Sequence, residues 1–295
     1  MTEIKLGAGT AVRIEESYEP NFEAKAFFPD WDPAVVDRHR GWLLPAHYEE
    51  ASGWLKLSVH SWLLKVGGKT ILIDTCVGNH KSRPHRPKWH LMETRYLDRL
   101  KAAGVEPDQV DMVMCTHLHV DHVGWNTKLL DGRWVPTFPN AKYVMSRVER
   151  DHWDPSLNKT LRAAQAEIFT DSVLPVIASG QAVLVEMTDQ IGDGLLIEPA
   201  PGHAPGHVML RLISGGREGI FVGDVMHHPI QVYRPEWSSG FDADPRLAEQ
   251  SRRQMLANCV ARNAQVFPAH FGVPHTGFVR QHGDGFRFEF LEGPK

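Results

Sequence analysis

A chain of 295 residues with 42% hydrophobic and 23% charged residues has the make-up of a soluble globular protein, long enough to bury a full core without staples. Its net charge of −4 and pI near 6.5 argue against a nucleic-acid or anionic-membrane surface, which needs a basic patch. No apolar run is long enough to span a bilayer.

The first nine residues lack the basic start and apolar centre of a signal peptide, so a cytoplasmic location is expected. The three cysteines, Cys76, Cys115 and Cys259, are widely spaced without a CxxC pair and read as small buried hydrophobes. Residues 1–50 are expected to be irregular, broken by Pro20, Pro29, Pro33 and Pro45. Their scattered aromatics, Phe22, Phe27, Phe28, Trp31 and Trp42, suggest an arm packed on the core and a candidate for homodimer contacts.

Regular structure is predicted next. Residues 54–66 alternate as a strand, Gly67-Gly68 is a hairpin turn, and residues 70–74 form the returning strand, which ends at Asp74. Asp74 is placed to orient a ligand histidine or to cap the strand. A basic, proline-rich loop over 79–90 precedes a helix over 92–103 that stops at Gly104. Met112-Val113-Met114 reads as a short buried strand leading into Cys115-Thr-His-Leu-His-Val-Asp-His-Val-Gly124.

That stretch is not a core pattern. His117 and His119 project to one side of an extended segment, while Asp121 and His122 follow where the chain turns, placed to reach a second position nearby. Gly124 lets the backbone pass close to the site. Cys115 is expected to point into the sheet. Further strands are predicted at 142–145, 195–200, 208–213, 219–222 and 265–267, with helices at 158–169 and 245–261. Candidate ligands recur where these strands end: His207, Asp224 and His270. The order is the α/β pattern, with sites at carboxyl ends of strands. No linker or short repeat is visible, so residues 1–295 are expected to form one domain of two similar halves, with 1–50 as its N-terminal arm.

The set and its order resemble the metallo-β-lactamase superfamily. That signature is His-x-His-x-Asp-His, a His in Gly-His-x-Pro-Gly-His, an Asp after an apolar strand and Gly, and a final His. Here it spans roughly residues 55–275. The resemblance implies a four-layer αββα sandwich. It implies one metal held by His117, His119 and His207, a second held by Asp121, His122 and His270, and Asp224 bridging the two. Within Gly202-His-Ala-Pro-Gly-His207, His203 would then be a supporting or structural residue. A shell of histidine and aspartate favours two divalent ions, zinc before iron, manganese or cobalt.

Two such ions share a water and lower its pKa from about 15.7 towards 7, making hydroxide available for attack on a carbonyl or phosphoryl centre. Asp121 is the candidate proton shuttle. The layout is similar to quorum-quenching lactonases and to organophosphate or aryl ester hydrolases. The reaction expected is hydrolysis of a small lactone or carboxylic ester. The alternatives are phosphotriester or β-lactam hydrolysis and, in another class, a mononuclear iron persulfide dioxygenase. True β-lactamases often carry cysteine where Asp224 stands. The lactonases use a tyrosine three residues past the bridging Asp to polarise the substrate carbonyl; His227 stands there, with His228 as the less favoured contact. Trp31, Trp42, Trp62, Trp89 and Trp237 are candidate pocket walls, and 236–240 a candidate pocket loop. His60 reads as a satisfied sheet histidine and His275 as a rim residue.

Overall fold

The computed structural model describes residues 2–291. Gly9–Glu23, Trp54–Val66, Lys69–Ile73, Met112–Met114, Lys142–Ser146 and Ala182–Val185 follow one another across the first sheet, with Glu3–Leu6 at its outer edge and Tyr48–Glu49 beside Trp54–Val66. The second sheet runs Gln190–Gly192, Leu195–Pro199, Val208–Ser214, Arg217–Gly223, Gln265–Pro268, Gly277–His282 and Gly285–Phe290.

Side-chain alternation makes the sandwich. Trp62, Leu64, Ile71 and Ile73 point inward and meet Ile197, Leu210, Leu212, Phe221 and Phe267 of the second sheet. Each such fully buried side chain contributes about 1.5–3 kcal/mol. Trp62 also donates its indole N–H to Pro268 O at 2.9 Å, so burying the ring leaves no donor unpaired. The alternate residues Leu63, Leu72, Val113 and Tyr143 face outward against Tyr96, Leu100 and Phe169, which the helices Tyr96–Ala102 and Ala163–Ser172 supply. On the far side, Met255, Leu256 and Cys259 of the helix Pro245–Arg262 cover Ile220, Val222 and Val266. The order of layers is helix, sheet, sheet, helix, as expected for the αββα class. No helix among the described residues is long and apolar enough to cross a membrane.

The expectation that residues 1–50 are irregular is overturned. Gly9–Glu23 is a 15-residue strand paired antiparallel along Trp54–Val66, and Ala34–Leu43 is a helix. Pro20 misleads because it sits where the ladder shifts register, between Pro20 and Phe22, and a bulge tolerates a residue that cannot donate. Two predicted helices are shorter or displaced: Tyr96–Ala102 ends before Gly104, at φ +75°, and Ala163–Ser172 starts later than read. The hairpin Gly277–His282/Gly285–Phe290 and the pair Thr127–Leu130/Arg133–Pro136 went unread.

Strand ends at one edge of the sandwich deliver Asp74, Thr116, Asp224 and the residues before His270. The metal-motif loop is strapped there by backbone bonds from Thr75 N to His122 O, from Gly124 N to Cys76 O and from Trp125 N to Thr75 O, each 2.7 Å. A Cβ on Gly124 would lie 1.8 Å from Val77 O. Gly124→Ala is therefore expected to pry these segments apart and cost about 3 kcal/mol, the upper end for overpacking, read as a lowered denaturation midpoint.

Candidate metal centre

Asp224 organises the site because its carboxylate oxygens face different partners. Its Oδ2 lies 3.3 Å from His203 Nε2, 3.2 Å from His227 Nε2 and 3.7 Å from His117 Nε2. Its Oδ1 lies 3.2 Å from His122 Nε2 and 3.0 Å from His270 Nε2. Asp121 flanks the second group, 3.8 Å from His122 Nε2 and 3.7 Å from His270 Nε2. His119 Nδ1 closes the first, 2.9 Å from His203 Nε2. Two clusters of donor atoms result around Asp224: His117, His119, His203 and Asp224 on one side and Asp121, His122 and His270 on the other, and a third group, His203, His227 and Asp242, overlaps the first at His203.

His203 thus stands where His207 was expected. Gly202, at φ +130°, lies against the start of the helix Pro245–Arg262, where a Cβ would meet Ala248 N at 2.2 Å. Bonds from Asp244 N to Gly202 O and from Ala243 N to His203 O fix the loop and leave the His203 ring in the centre. His207 instead begins the return into Val208–Ser214, with Ala200 N donating to its carbonyl. Its Nε2 accepts from Asp224 N at 3.0 Å, so the ring sits beneath the Asp224 backbone and outside both donor clusters.

The rings are held from behind, as metal-binding imidazoles usually are. Asp74 Oδ2 meets His122 Nδ1 at 2.8 Å while Asp74 accepts from Thr116 N and Oγ1, so the orienting reading of Asp74 fits its position. Ser58 O meets His270 Nδ1 at 2.8 Å, and Asp242 Oδ1 meets His203 Nδ1 at 2.9 Å. Sequence reasoning missed Asp242. It also missed Glu149, a buried carboxylate that accepts from Leu118 N and Gly206 N and ties the two ligand loops together. No spacing marks either residue.

The donors fit cations. Among the described residues, the buried atoms His117 Nε2, His122 Nε2 and Asp224 Oδ1 have no hydrogen-bond partner although they point into one space. Buried polar atoms are rarely left so without an unseen partner. Charges there are strongly coupled. Burial works to lower the basicity of His122, yet Asp224, Asp74 and Asp121 raise it well above the ordinary histidine value. Burial, then the neighbouring imidazoles, hold His117 and His119 well below theirs. Burial disfavours an ionised Asp242, but His203, His227 and Arg252 outweigh it and bring its pKa to about 2.

A cavity of about 320 Å³ opens over the centre, with His119, Asp121, His203, Asp224, His227 and His270 in its lining. His227 faces it with neither ring nitrogen hydrogen-bonded among the described residues. His228 turns away: its Nε2 meets His47 O at 3.0 Å and its Nδ1 accepts from Ile230 N. Of the tryptophans expected as walls, Trp89 lines the cavity, joined by Trp153, Phe22 and Phe241. Trp31 and Trp237 pack in the core with Phe27 and Phe28, and Trp62 lies between the sheets. Gly240 is the part of the 236–240 loop that reaches the cavity. His60 is satisfied by Ser58 Oγ and Pro268 O, as read. His275 is buried, not at the rim, with Nδ1 on Phe271 O at 2.7 Å. Cys115 is buried and outside both donor clusters.

Comparison with known proteins agrees with this architecture. Among solved structures, the hydrolase AbOPH in the beta lactamase superfamily superposes with a TM-score of 0.82 at 24% identity, covering 99% of this chain and 98% of that one. AidC, a dizinc quorum-quenching lactonase solved with the product N-hexanoyl-L-homoserine, gives 0.77 at 22% identity over 100% and 98% of the two chains. An N-acyl homoserine lactonase of Bacillus thuringiensis is 27% identical over 168 residues, 53% of this chain and 58% of the relative. AttM, an N-acyl homoserine lactonase of Rhizobium radiobacter, is 31% identical over 149 residues, 49% and 52% of the two. The chain thus matches somewhat more than half the length of these curated relatives. The family model for the metallo-beta-lactamase superfamily runs from residue 54 to residue 270, from the second long strand to the last histidine of the centre, and the chain belongs to that superfamily.

Proposed function

We propose that the protein is a metal-dependent hydrolase that opens a small lactone or carboxylic ester. The observation that carries this reading is the division of the Asp224 carboxylate between two sets of buried donors at the floor of an open cavity. In it, His117, His119 and His203 would hold one divalent ion and Asp121, His122 and His270 the other, with Asp224 as the ligand available to each. When bound, such a pair supplies hydroxide at neutral pH and polarises the substrate carbonyl.

The protein's own groups do the rest. Asp121, on the cavity wall beside His122 and His270, accepts the proton of the attacking water on a carboxylate oxygen and returns it to the leaving alkoxide. His227, buried but facing the cavity with its Nε2 3.2 Å from Asp224 Oδ2, holds the substrate carbonyl or the leaving oxygen through its ring. Leu118, Trp89 and Trp153 line the approach with apolar surface, which keeps bulk water from the reacting carbonyl. The likeness to AidC and the lactonases of Bacillus and Rhizobium supports a lactone or ester ahead of the phosphotriester and β-lactam alternatives.

Metal analysis of the purified protein is expected to give about two divalent ions per chain, with turnover of an acyl-homoserine lactone or an aryl acetate that a chelator abolishes. An aryl phosphotriester and a β-lactam complete the panel, and the preferred member decides the branch. About one iron per chain with no hydrolysis of any member would overturn the reading and favour the oxygen-using relatives.

A further inference from the structure

Where the cavity adjoins a wider vestibule it carries two arginines that belong to neither donor cluster. Arg86 and Arg162 line the cavity together with Asp121 and Asp224, and both recur in a wider vestibule of about 780 Å³ that shares its walls. Among the described residues neither makes an ion pair. Arg86 lies over the rings of Trp89 and Phe241, at 5.2 and 5.8 Å, and Arg162 reaches only Gln165 Oε1, at 3.4 Å. Glu167 is the one acid in the vestibule lining.

The segments bearing the two arginines are fixed to each other. Buried Arg83 grips Asp171 of the helix Ala163–Ser172 with two bonds, at 2.7 and 2.8 Å. Lys81, fully buried, donates to Asp171 O at 3.0 Å and to Thr127 Oγ1 at 2.6 Å. A loop and a helix tied at one point thus present two uncompensated guanidinium groups across an aromatic-walled opening. Guanidinium forks match carboxylates, and ring faces match an apolar body beside them.

We propose that Arg86 and Arg162 form an anion-recognition subsite. It makes the substrate an ester or lactone whose far end carries a carboxylate, separated from the scissile carbonyl by an apolar or aromatic body. The proposal takes hydrolysis at the metal centre as its frame, but its test does not depend on turnover.

The probes are 4-acetamidobenzoate and its uncharged counterpart 4-acetamidobenzamide, neither of them an ester, titrated calorimetrically into the metal-loaded protein at low salt. The benzoate is expected to bind about tenfold to a hundredfold tighter, the range for a hydrogen-bonded charge. R86Q/R162Q is expected to bind both probes alike, and R86K/R162K, which keeps the charges, to retain part of the preference. Both arginines are exposed, so the variants are expected to melt with the parent protein. No measurable binding of the benzoate, equal binding of the two probes, or a preference that survives in R86Q/R162Q overturns the proposal; the last assigns the carboxylate to the metal centre. An arginine-dependent preference in a protein that hydrolyses no ester would sink the reaction and leave the subsite standing.

Discussion

His203→Ala is expected to empty one of the two cation positions and reduce hydrolysis on the order of a hundredfold or more, since even residues that only orient a ligand are worth 10–100-fold. His207→Ala is expected to leave metal content unchanged. The difference follows from where the rings lie. His203 Nε2 is 3.3 Å from Asp224 Oδ2 and 2.9 Å from His119 Nδ1, and its other nitrogen is pinned by Asp242. His207 Nε2 is occupied by the Asp224 N–H, so alanine there strands a buried donor and costs about 1–3 kcal/mol of stability without removing a ligand. Metal analysis of both variants, beside their denaturation midpoints, separates the two roles. Loss of metal from His207→Ala with retention in His203→Ala would restore the assignment drawn from the motif alone.

This pair shows where sequence reading stops. The segment Gly202-His-Ala-Pro-Gly-His207 offers two histidines four apart, and spacing does not say which one turns inward. The choice is made by a distant element, because Gly202 and His203 are held by Asp244 and Ala243 at the start of the helix Pro245–Arg262. His117, His119, Asp121, His122, Asp224 and His270 were legible because they lie in the short loops that follow the apolar strands Met112–Met114, Arg217–Gly223 and Gln265–Pro268. Strand ends are where an α/β fold gathers its side chains. The central strands were legible for the same local reason, strong alternation bounded by glycine. Gly9–Glu23 was not: its proline falls at a register shift, and its pairing partner lies some forty residues further along the chain. Asp242 and Glu149 were illegible because a carboxylate in a loop or on a short helix looks solvated until tertiary contacts bury it. His227 was preferred over His228 in the sequence because it stands three residues past Asp224; in the fold Gln231 Oε1 accepts from both backbone amides while the His228 ring turns to His47.

Arg252→Met is expected to cost about 3–5 kcal/mol, the penalty for removing one partner of a buried charged network. Arg252 is wholly buried in the helix Pro245–Arg262, where a cation is rarely found unless its donors are satisfied. Its guanidinium donates to Val225 O at 2.9 Å, Pro235 O at 2.7 Å and Trp237 O at 3.0 Å, and lies 3.5 Å from Asp242 Oδ2. It therefore clamps the chain just after Asp224 to the 235–242 loop, and it compensates the Asp242 carboxylate that orients His203. Methionine fills much of the volume but strands three carbonyls and a buried carboxylate. Stability and metal affinity should fall together, the latter by about tenfold through the freed His203 ring. Adding Asp242→Asn separates the contributions. If the stranded charge dominates the loss, R252M/D242N is expected to recover part of the denaturation midpoint while metal affinity stays low, because asparagine no longer fixes the ring as a carboxylate does. If the three carbonyls dominate, the double variant will be no more stable than R252M, and the role of Arg252 is to hold the backbone behind Asp224.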